Sequence, residues 1–455
     1  MAESLLQPVE AWFEERGWTP FPFQREVWQA YLDGESGLIH SPTGTGKTYA
    51  AFLGAVLQWL NANPNALSKS VKRAQTTPFT VLWITPLRAL SADTARTLET
   101  VIEHFGLPWS LETRTSDTPS SVRNRQGTRL PTVLITTPES FSLLLSRPNA
   151  RELFQSIGLM VVDEWHELMS GKRGTQTELG LARLRRWQSD VRVWGLSATM
   201  GNLDVALRSL LGMFDLQTGE IPDGRLVRGD VPKQLVIDSI IPPKMERFPW
   251  AGHLGLKLLP QVVQAVDKSR TTLIFTNTRS QTEMWFQALL DARPDWAGVI
   301  ALHHSSLDPK TRLWVEEGLR NASLKCVVCT SSLDLGVDFP TVDRVFQVGS
   351  PKGVARLIQR AGRSGHQPQA VSRVTCVPSH ALELIEVAAA RWSIEHEHIE
   401  ARPPVEKPLD VLAQHLVTLG LGGGFDDDVY DEVRTTYAYR NLTRDEWDWT
   451  LQFVG

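Results

Sequence analysis

Short, β-branched apolar runs recur along the chain, separated by longer stretches in which apolar residues return at helical spacing. The first half carries GLIH (37–40), TVLWIT (80–85), TVLITT (132–137), IGLMVVDE (157–164) and VRVWGLSAT (191–199). The second half carries TTLIFTNT (271–278), GVIALHH (298–304), LKCVVCT (324–330), DRVFQVG (343–349) and SRVTCV (372–377). Near-continuous apolar runs alternating with helices read as parallel strands buried on both faces. The pattern therefore predicts an α/β protein with two parallel sheets of about five strands, one per half. It breaks near 215–243, at IPDGRLVRGDVPKQL and IPPK, and again at ARPPVEKP (401–408). Beyond the second break, DVLAQHLV, DVYDEVR and LTRDEWDWTLQFV predict three short helices around a GLGGG turn. The expected division is 1–222, 223–400 and 401–455.

A chain of 455 residues has room for roughly three domains. At 42% hydrophobic and 22% charged residues, global disorder is excluded. The apolar runs fall short of the roughly 18 residues needed to cross a bilayer. The opening MAESLLQPVEAWFEERGW is acidic and interrupted by charge, unlike a signal peptide. Three cysteines cannot build a disulfide framework, so a reducing, cytoplasmic setting is expected. Cys326 and Cys329 have metal-like spacing but lie in an apolar strand and face opposite sides, which argues against zinc. A net charge of −4 supplies no global attraction to a polyanion, so local groups would have to hold one. Residues 401–455 carry 5 Lys+Arg against 10 Asp+Glu, leaving 42 against 41 elsewhere, and make a poor phosphate-binding surface by charge alone. NPNALSKSVKRAQTTP (63–78) reads as a polar loop with a solvated basic turn.

Polar residues cluster where the predicted strands end, which is where open parallel sheets bind ligands. The strongest cluster is SPTGTGKT (41–48), between GLIH and a helical stretch. In the loop Thr43-Gly44-Thr45-Gly46 the two glycines let successive amides close around a phosphate at the positive end of a helix. Lys47 would reach the β/γ-phosphates and the Thr48 hydroxyl would ligate Mg²⁺. Ser41 stands where such loops usually begin with glycine. After IGLMVV come Asp163, Glu164, Trp165 and His166. Asp163 at a strand end can hold Mg²⁺, and Glu164 can polarise an attacking water.

SPTGTGKT, TPLRAL (85–90), TTPES (136–140), DEWH (163–166), SAT (197–199), TNTR (276–279), TSSLDLGVD (330–338) and QRAGRSGH (359–366) match in order the motif series of superfamily 2 helicases. The match covers residues 20–366. The forms DEWHEL, GKRGTQTELGLARLRR and QRAGRSGH, with the helical start of a winged helix, resemble the Lhr (large helicase-related) family. Within it, DEWH is similar to the bacterial ligase-associated DExH-box branch.

The resemblance implies two tandem RecA-like domains followed by a winged helix that is represented in part, since no wing hairpin precedes Gly455. It implies ATP between the two domains, with Arg363 as arginine finger, Arg360 assisting it and Gln359 positioning water or the γ-phosphate. His366 stands where many relatives carry a second arginine. Gln24, in PFPFQREVW (20–28), would read adenine, and Asp338 would accept a hydrogen bond from the ribose. Phe21 and Phe23 suit either stacking on the base or packing of the N-terminal helix. His166, Ser197 and Thr199 would couple hydrolysis to domain closure. Arg88, Thr137, Arg279, His304 and Thr330 would contact strand phosphates without reading sequence, although His304 equally suits a structural hydrogen bond. Trp447 and Trp449 could form a base-stacking wedge or the core of the helical segment. His396 and His398 read as solvated residues of a charged helix.

The implied activity is that of an ATP-dependent helicase or translocase moving 3′ to 5′ on single-stranded DNA. Its duplex substrates would be DNA or RNA:DNA hybrids, in bacterial DNA repair beside a DNA ligase, with no membrane partner. Three competitors are an RNA helicase of the DEAD-box kind, a small-molecule phosphotransferase and a nucleic-acid-binding ATPase without unwinding. DEWH and QRAGRSGH argue against the first, and the second leaves the motifs of the second sheet unexplained.

Overall fold

The computed structural model describes residues 2–64, 77–220, 224–229, 234–241, 255–334, 342–364 and 371–455. Asp338, His366 and most of the expected loop 63–78 lie outside the described residues. There are two compact units. The first comprises residues 1–41, 46–229 and 401–455, and the second residues 42–45 and 230–400.

Among the described residues the first unit is built on seven strands: β1 (Gly37–His40), β2 (Val81–Ile84), β3 (Leu111–Arg114), β4 (Val133–Thr136), β5 (Leu159–Val162), β6 (Arg192–Ser197) and β7 (Arg225–Arg228). Their order is β3-β4-β2-β5-β6-β1-β7, and every pairing is parallel. The five inner strands are the five that the apolar runs predict. The pattern misses β3 and β7, whose sequences are LETR and RLVR. Both are edge strands with a single neighbour, so they need not be apolar on both faces and carry no continuous run. Helix Lys47–Ala62 crosses the sheet with Phe52, Leu53, Val56 and Leu57 fully buried. Each such side chain contributes roughly 1.5–3 kcal/mol.

The second unit holds β8 (Leu235–Ser239), β9 (Thr272–Phe275), β10 (Ile300–His303), β11 (Cys326–Cys329), β12 (Arg344–Val348) and β13 (Ser372–Val377). Their order is β10-β11-β9-β12-β13-β8, again parallel throughout. The missed strand, β8, is once more an edge strand, and it lies inside the segment where the pattern breaks. Cys326 and Cys329 are both buried in β11, and burial pushes the Cys326 thiol up to about 12.

The three helices expected after residue 408 are Leu409–Leu421, Val429–Arg434 and Arg444–Val454. They belong to the first unit and pack on helix Lys172–Trp187. Leu179 from that helix joins Leu412, Leu416, Val433, Tyr439 and Trp447 in one core. Trp447 is therefore core, whereas Trp449 is exposed and stacks on Phe453 at 5.8 Å. His396 and His398 follow the last residue of helix Ala381–Glu395, and both rings lie against Trp392. The acidity of the tail has a partner: Asp410 pairs with Lys172, Asp428 with Arg186, and Glu432 with Arg183 at 3.0 Å. The exposed pairs contribute only about 0–1 kcal/mol each, so the shared apolar core carries the docking and the charges fix its register.

Glu178 is buried beneath this interface, where its Oε2 accepts the Ala438 N–H at 2.9 Å. Burial raises its pKa from 4.5 to about 8, against the opposing pull of that N–H, Arg440 and Arg185. Between those values the folded chain keeps a proton that the unfolded chain releases. This contribution to stability is thus complete on the acid side and is lost as pH rises towards 8. Thermal unfolding at several pH values should show the wild type losing stability over that interval relative to Glu178→Gln, which carries no titrating group there.

Candidate nucleotide and nucleic-acid sites

The register of the first sheet decides what its strand ends bring together. His40 lies opposite Ser197 across β1 and β6, and Val162 lies opposite Gly195 across β5 and β6. The carboxyl ends of β5, β6 and β1 are therefore neighbours, and the DEWH turn, the SAT segment and the loop leading to Lys47 emerge side by side.

In that loop Gly44 and Gly46 have φ of 83° and 80°, in the left-handed region that favours glycine. Gly46 is also crowded, since a Cβ there would meet Gln24 Nε2 at 2.6 Å. Thr45 Oγ1 donates to the Pro42 carbonyl at 2.8 Å. Lys47 opens helix Lys47–Ala62 and turns back so that Nζ donates to the Ser41 carbonyl at 2.6 Å. Burial of the ammonium lowers its pKa, and the carboxylates of Glu164 and Asp163 oppose that shift.

Asp163 is buried and fixed on both oxygens. Oδ2 accepts the Trp83 indole N–H at 3.3 Å, and Oδ1 accepts the Glu164 N–H at 2.9 Å. Burial raises its pKa, with the Trp83 bond, the Lys47 charge and the Glu164 N–H acting against it. A divalent cation suits such a group, because it supplies the positive charge that burial has removed from solvent. Glu164 has φ 47°, a left-handed conformation that costs a non-glycine residue about 1–3 kcal/mol. The strained residue is the one expected to act as catalytic base.

His166 is fully buried, and its Nδ1 accepts the Ala198 N–H at 3.2 Å. This bond requires the neutral ring, and burial, followed by the charges of Arg402 and Lys47, holds its pKa well below 6.5. The link between the DEWH turn and the SAT segment is thus made by the backbone of the middle residue. The Ser197 hydroxyl contacts the Ala198 carbonyl and Met200 Sδ, both at 3.1 Å. Thr199 follows it, partly exposed. Thr48 is partly exposed in the first turn of its helix.

Gln24 is buried with both ends of its amide engaged: Oε1 accepts the Phe21 N–H at 2.9 Å, and Nε2 donates to the Gly46 carbonyl at 3.1 Å. It brackets the start of its own helix to the phosphate loop. Reading adenine would require these bonds to be exchanged. Phe21 and Phe23 stack on each other at 5.9 Å, with Phe23 buried.

In the second unit Gln359, Arg360 and Arg363 are buried at the end of helix Val354–Ala361 and just beyond it. Arg360 makes a two-toothed pair with Asp334, at 2.7 and 3.1 Å, and lies over the Phe275 ring at 4.7 Å. Its third partner is the Gln347 side-chain oxygen. Arg363 Nη2 donates to the Asp334 carbonyl at 2.8 Å. Arg360 is committed to holding the helix against the turn after β11.

The residues expected to touch a strand fall in two places. Arg88 and Thr137 line one cleft of about 390 Å³ in the first unit, together with Arg114, Arg123 and Arg173. Arg88 bonds Asp117 at 2.7 Å, Arg173 grips Glu139 at 2.5 and 3.2 Å, and Thr137 caps helix Pro138–Leu145. Arg114 is buried; burial, with Arg147 and Arg123 nearby, lowers its pKa, a cluster of like charges suited to anionic oxygens. In the second unit Arg279, His304 and Thr330 follow β9, β10 and β11, which are adjacent strands. The His304 ring accepts the Ser306 N–H at 3.3 Å and lies 3.6 Å from Glu283, a structural hydrogen-bonding arrangement.

Trp83, Asp334, Arg114, Arg123 and Arg173 are the additions that sequence reading does not single out. Trp83 is hidden in an apolar run, and Arg114 lies on an edge strand that the pattern misses.

Comparison with known proteins matches three family models along the chain: DEAD/DEAH box helicase over residues 21–206, helicase conserved C-terminal domain over 255–367, and large helicase-related protein, winged helix domain, over 392–455. An ATP-dependent helicase Lhr-Core protein 2 of Thermococcus barophilus is 34% identical over 466 residues, covering 100% of this chain and 53% of the relative. The structure of the Mycobacterium smegmatis helicase Lhr bound to ssDNA and AMP-PNP matches with a TM-score of 0.83 at 31% identity, over 99% of this chain and 57% of that one. A structure of the helicase MrfA bound to DNA shares the fold, with a TM-score of 0.73 at 22% identity over 95% of this chain and 55% of that one. The chain thus spans about half the length of these relatives.

Replacing Gln24 by Ala strips the buried Gly46 carbonyl and the Phe21 N–H of their partner, which should cost about 1–3 kcal/mol. Denaturant unfolding without nucleotide measures this; a purely adenine-reading glutamine would leave that stability unchanged.

Proposed function

We propose that this chain, which belongs to the Lhr (large helicase-related) family of superfamily 2 helicases, is an ATP-dependent nucleic-acid motor acting as a helicase or translocase. The observation that carries the proposal is the cluster at the ends of β5, β6 and β1. A desolvated lysine, two carboxylates and a neutral histidine meet there beside a glycine loop that opens a helix. The amides of Thr43–Gly46 and the Lys47 ammonium would cradle the triphosphate. Thr48 and Asp163 would hold Mg²⁺, which supplies charge neutralisation at the β- and γ-phosphates. Glu164 accepts a proton from the attacking water, and Gln359 orients that water or the γ-phosphate. Arg363 supplies the cation for charge developing on the transferred phosphoryl group, with Arg360 holding the helix that presents it.

The strand would run over the cleft lined by Arg88, Arg114, Arg123, Arg173 and Thr137, with Arg279 and Thr330 as its contacts in the second unit. His304 acts by holding the loop beside them. Such contacts bind phosphates irrespective of sequence, and they let a chain of net charge −4 grip a polyanion. The mycobacterial relative was solved with ssDNA, which supports single-stranded DNA as the track. The likeness of DEWH to the bacterial ligase-associated branch supports 3′-to-5′ movement, unwinding of DNA or RNA:DNA duplexes, and a repair role beside a ligase in the bacterial cytoplasm. No helix among the described residues is long and apolar enough to cross a membrane.

The test is ATP turnover with and without single-stranded DNA, followed by unwinding of 3′-tailed and 5′-tailed duplexes. The wild type should be stimulated by the strand and should open only the 3′-tailed duplex, and Lys47→Ala or Glu164→Gln should abolish both activities. Full turnover in either variant refutes the assigned chemistry, and stimulation without unwinding reduces the reading to a strand-dependent ATPase. Arg363→Ala should bind ATP normally, measured by titration calorimetry, yet lose turnover by roughly 10³-fold. Unchanged turnover removes Arg363 from the site.

A further inference from the structure

Residues 399–408 form neither helix nor strand, so no ladder of backbone bonds fixes their path. Four of them are held by charge instead: Glu406 pairs with Arg440 and Lys407 with Glu446, each at 2.7 Å, and Glu400 and Arg402 act nearer the start. In the second unit Glu400 caps helix Val354–Ala361, its Oε2 accepting the Val354 N–H at 3.1 Å and its Oε1 the Ala355 N–H at 3.0 Å. A carboxylate there satisfies orphan amides and suits the positive end of the helix. Gly353, with φ 141°, makes room for it, because a Cβ would meet Glu400 Oε1 at 2.5 Å. This is the helix that carries Gln359 and Arg360.

In the first unit Arg402 is held by its backbone and grips with its side chain. Its N–H donates to Asn202 Oδ1 at 2.8 Å, and its carbonyl accepts from Asn202 Nδ2 at 2.9 Å. Its Nη1 donates to the His166 carbonyl at 3.0 Å and lies 2.9 Å from Glu167 Oε1. Asn202 stands four residues after Ala198, whose amide holds the His166 ring. One residue thus grips both the DEWH turn and the segment after SAT, seven residues before the first docked helix, Leu409–Leu421. Docking of that helix does not need Arg402: it already has the core around Leu412, Leu416 and Trp447 and the ion pairs of Asp410, Asp428 and Glu432. What Arg402 adds is a bond to the turn that handles ATP.

We infer that Arg402 is a positioning residue through which the state of the DEWH turn is transmitted to the C-terminal helices. The inference rests on the motor reading above. Hydrogen exchange in helix Leu409–Leu421, with and without AMP-PNP and Mg²⁺, reads the coupling directly. Nucleotide should alter exchange there in the wild type. In Arg402→Ala the response should vanish while the nucleotide-free exchange stays at the wild-type level, and Arg402→Lys should restore part of it. In turnover assays the ratio of strand-stimulated to unstimulated rate should fall about fivefold or more in Arg402→Ala, with the KM for ATP changed by less than about twofold.

An undiminished response in Arg402→Ala, or none in the wild type, overturns the inference. So does faster nucleotide-free exchange in Arg402→Ala, which would make Arg402 a docking staple, or an equal loss of stimulated and unstimulated turnover. A wild type whose turnover ignores single-stranded DNA refutes the motor reading instead, and the exchange response still decides the role of Arg402.

Discussion

The first unit is organised around one desolvated cation. Lys47 must keep an ammonium charge where burial opposes it, and the carboxylates of Asp163 and Glu164 make that possible. The same neighbours need each other for the opposite reason, since burial raises the pKa of Asp163 and the lysine charge counters it. Burial disfavours the charged forms of both Lys47 and Asp163, and each charge offsets part of that cost for the other. Their meeting is set by strand order, because β5, β6 and β1 lie next to one another although their sequences are far apart. A phosphate and a divalent cation would complete this charge balance, which links the pocket's chemistry to the topology that precedes it.

The contact between the DEWH turn and the SAT segment follows from the same economy of burial. His166 has no access to water, so its ring must be neutral and its Nδ1 must find a donor; the Ala198 amide is that donor. A displacement of the DEWH turn therefore cannot leave the SAT segment behind without exposing an unsatisfied buried nitrogen. In the second unit Arg360 plays the comparable part with Asp334 and Phe275. It fixes the spacing between the turn after β11 and the helix that ends before Arg363.

Much of this was legible in the chain itself. All ten apolar runs became strands: nine lie inside a sheet, where parallel strands are apolar on both faces, and the tenth, β10, is an edge strand that kept an apolar run. The three strands that escaped notice are edge strands, where one exposed side dilutes the apolar signal to LETR, RLVR or LVIDS. Motif order pointed to Lys47, Asp163, Glu164 and His166, which the fold brings to adjacent strand ends. Contacts made by backbone or by ordinary-looking residues were not legible: the Ala198 amide, the indole of Trp83 within an apolar run, and the engagement of Gln24 with Gly46. A linear pattern reports burial and residue type, whereas these depend on which loop lies opposite.

The charge distribution shows how far composition can mislead about function. By composition the acidic tail is an unpromising phosphate surface, and the reason for its acidity lies in another part of the chain. Helix Lys172–Trp187 presents Lys172, Arg183 and Arg186 to Asp410, Glu432 and Asp428. Those basic residues are thereby neutralised, while Arg173 on the same helix turns to Glu139 and lines the cleft with Arg88 and Arg114. Of the basic residues on this helix, Lys172, Arg183 and Arg186 thus face the tail, Arg173 faces the cleft, and Arg185 is buried on the Leu210 carbonyl. The net charge of −4 sums over both groups and says little about whether a polyanion binds.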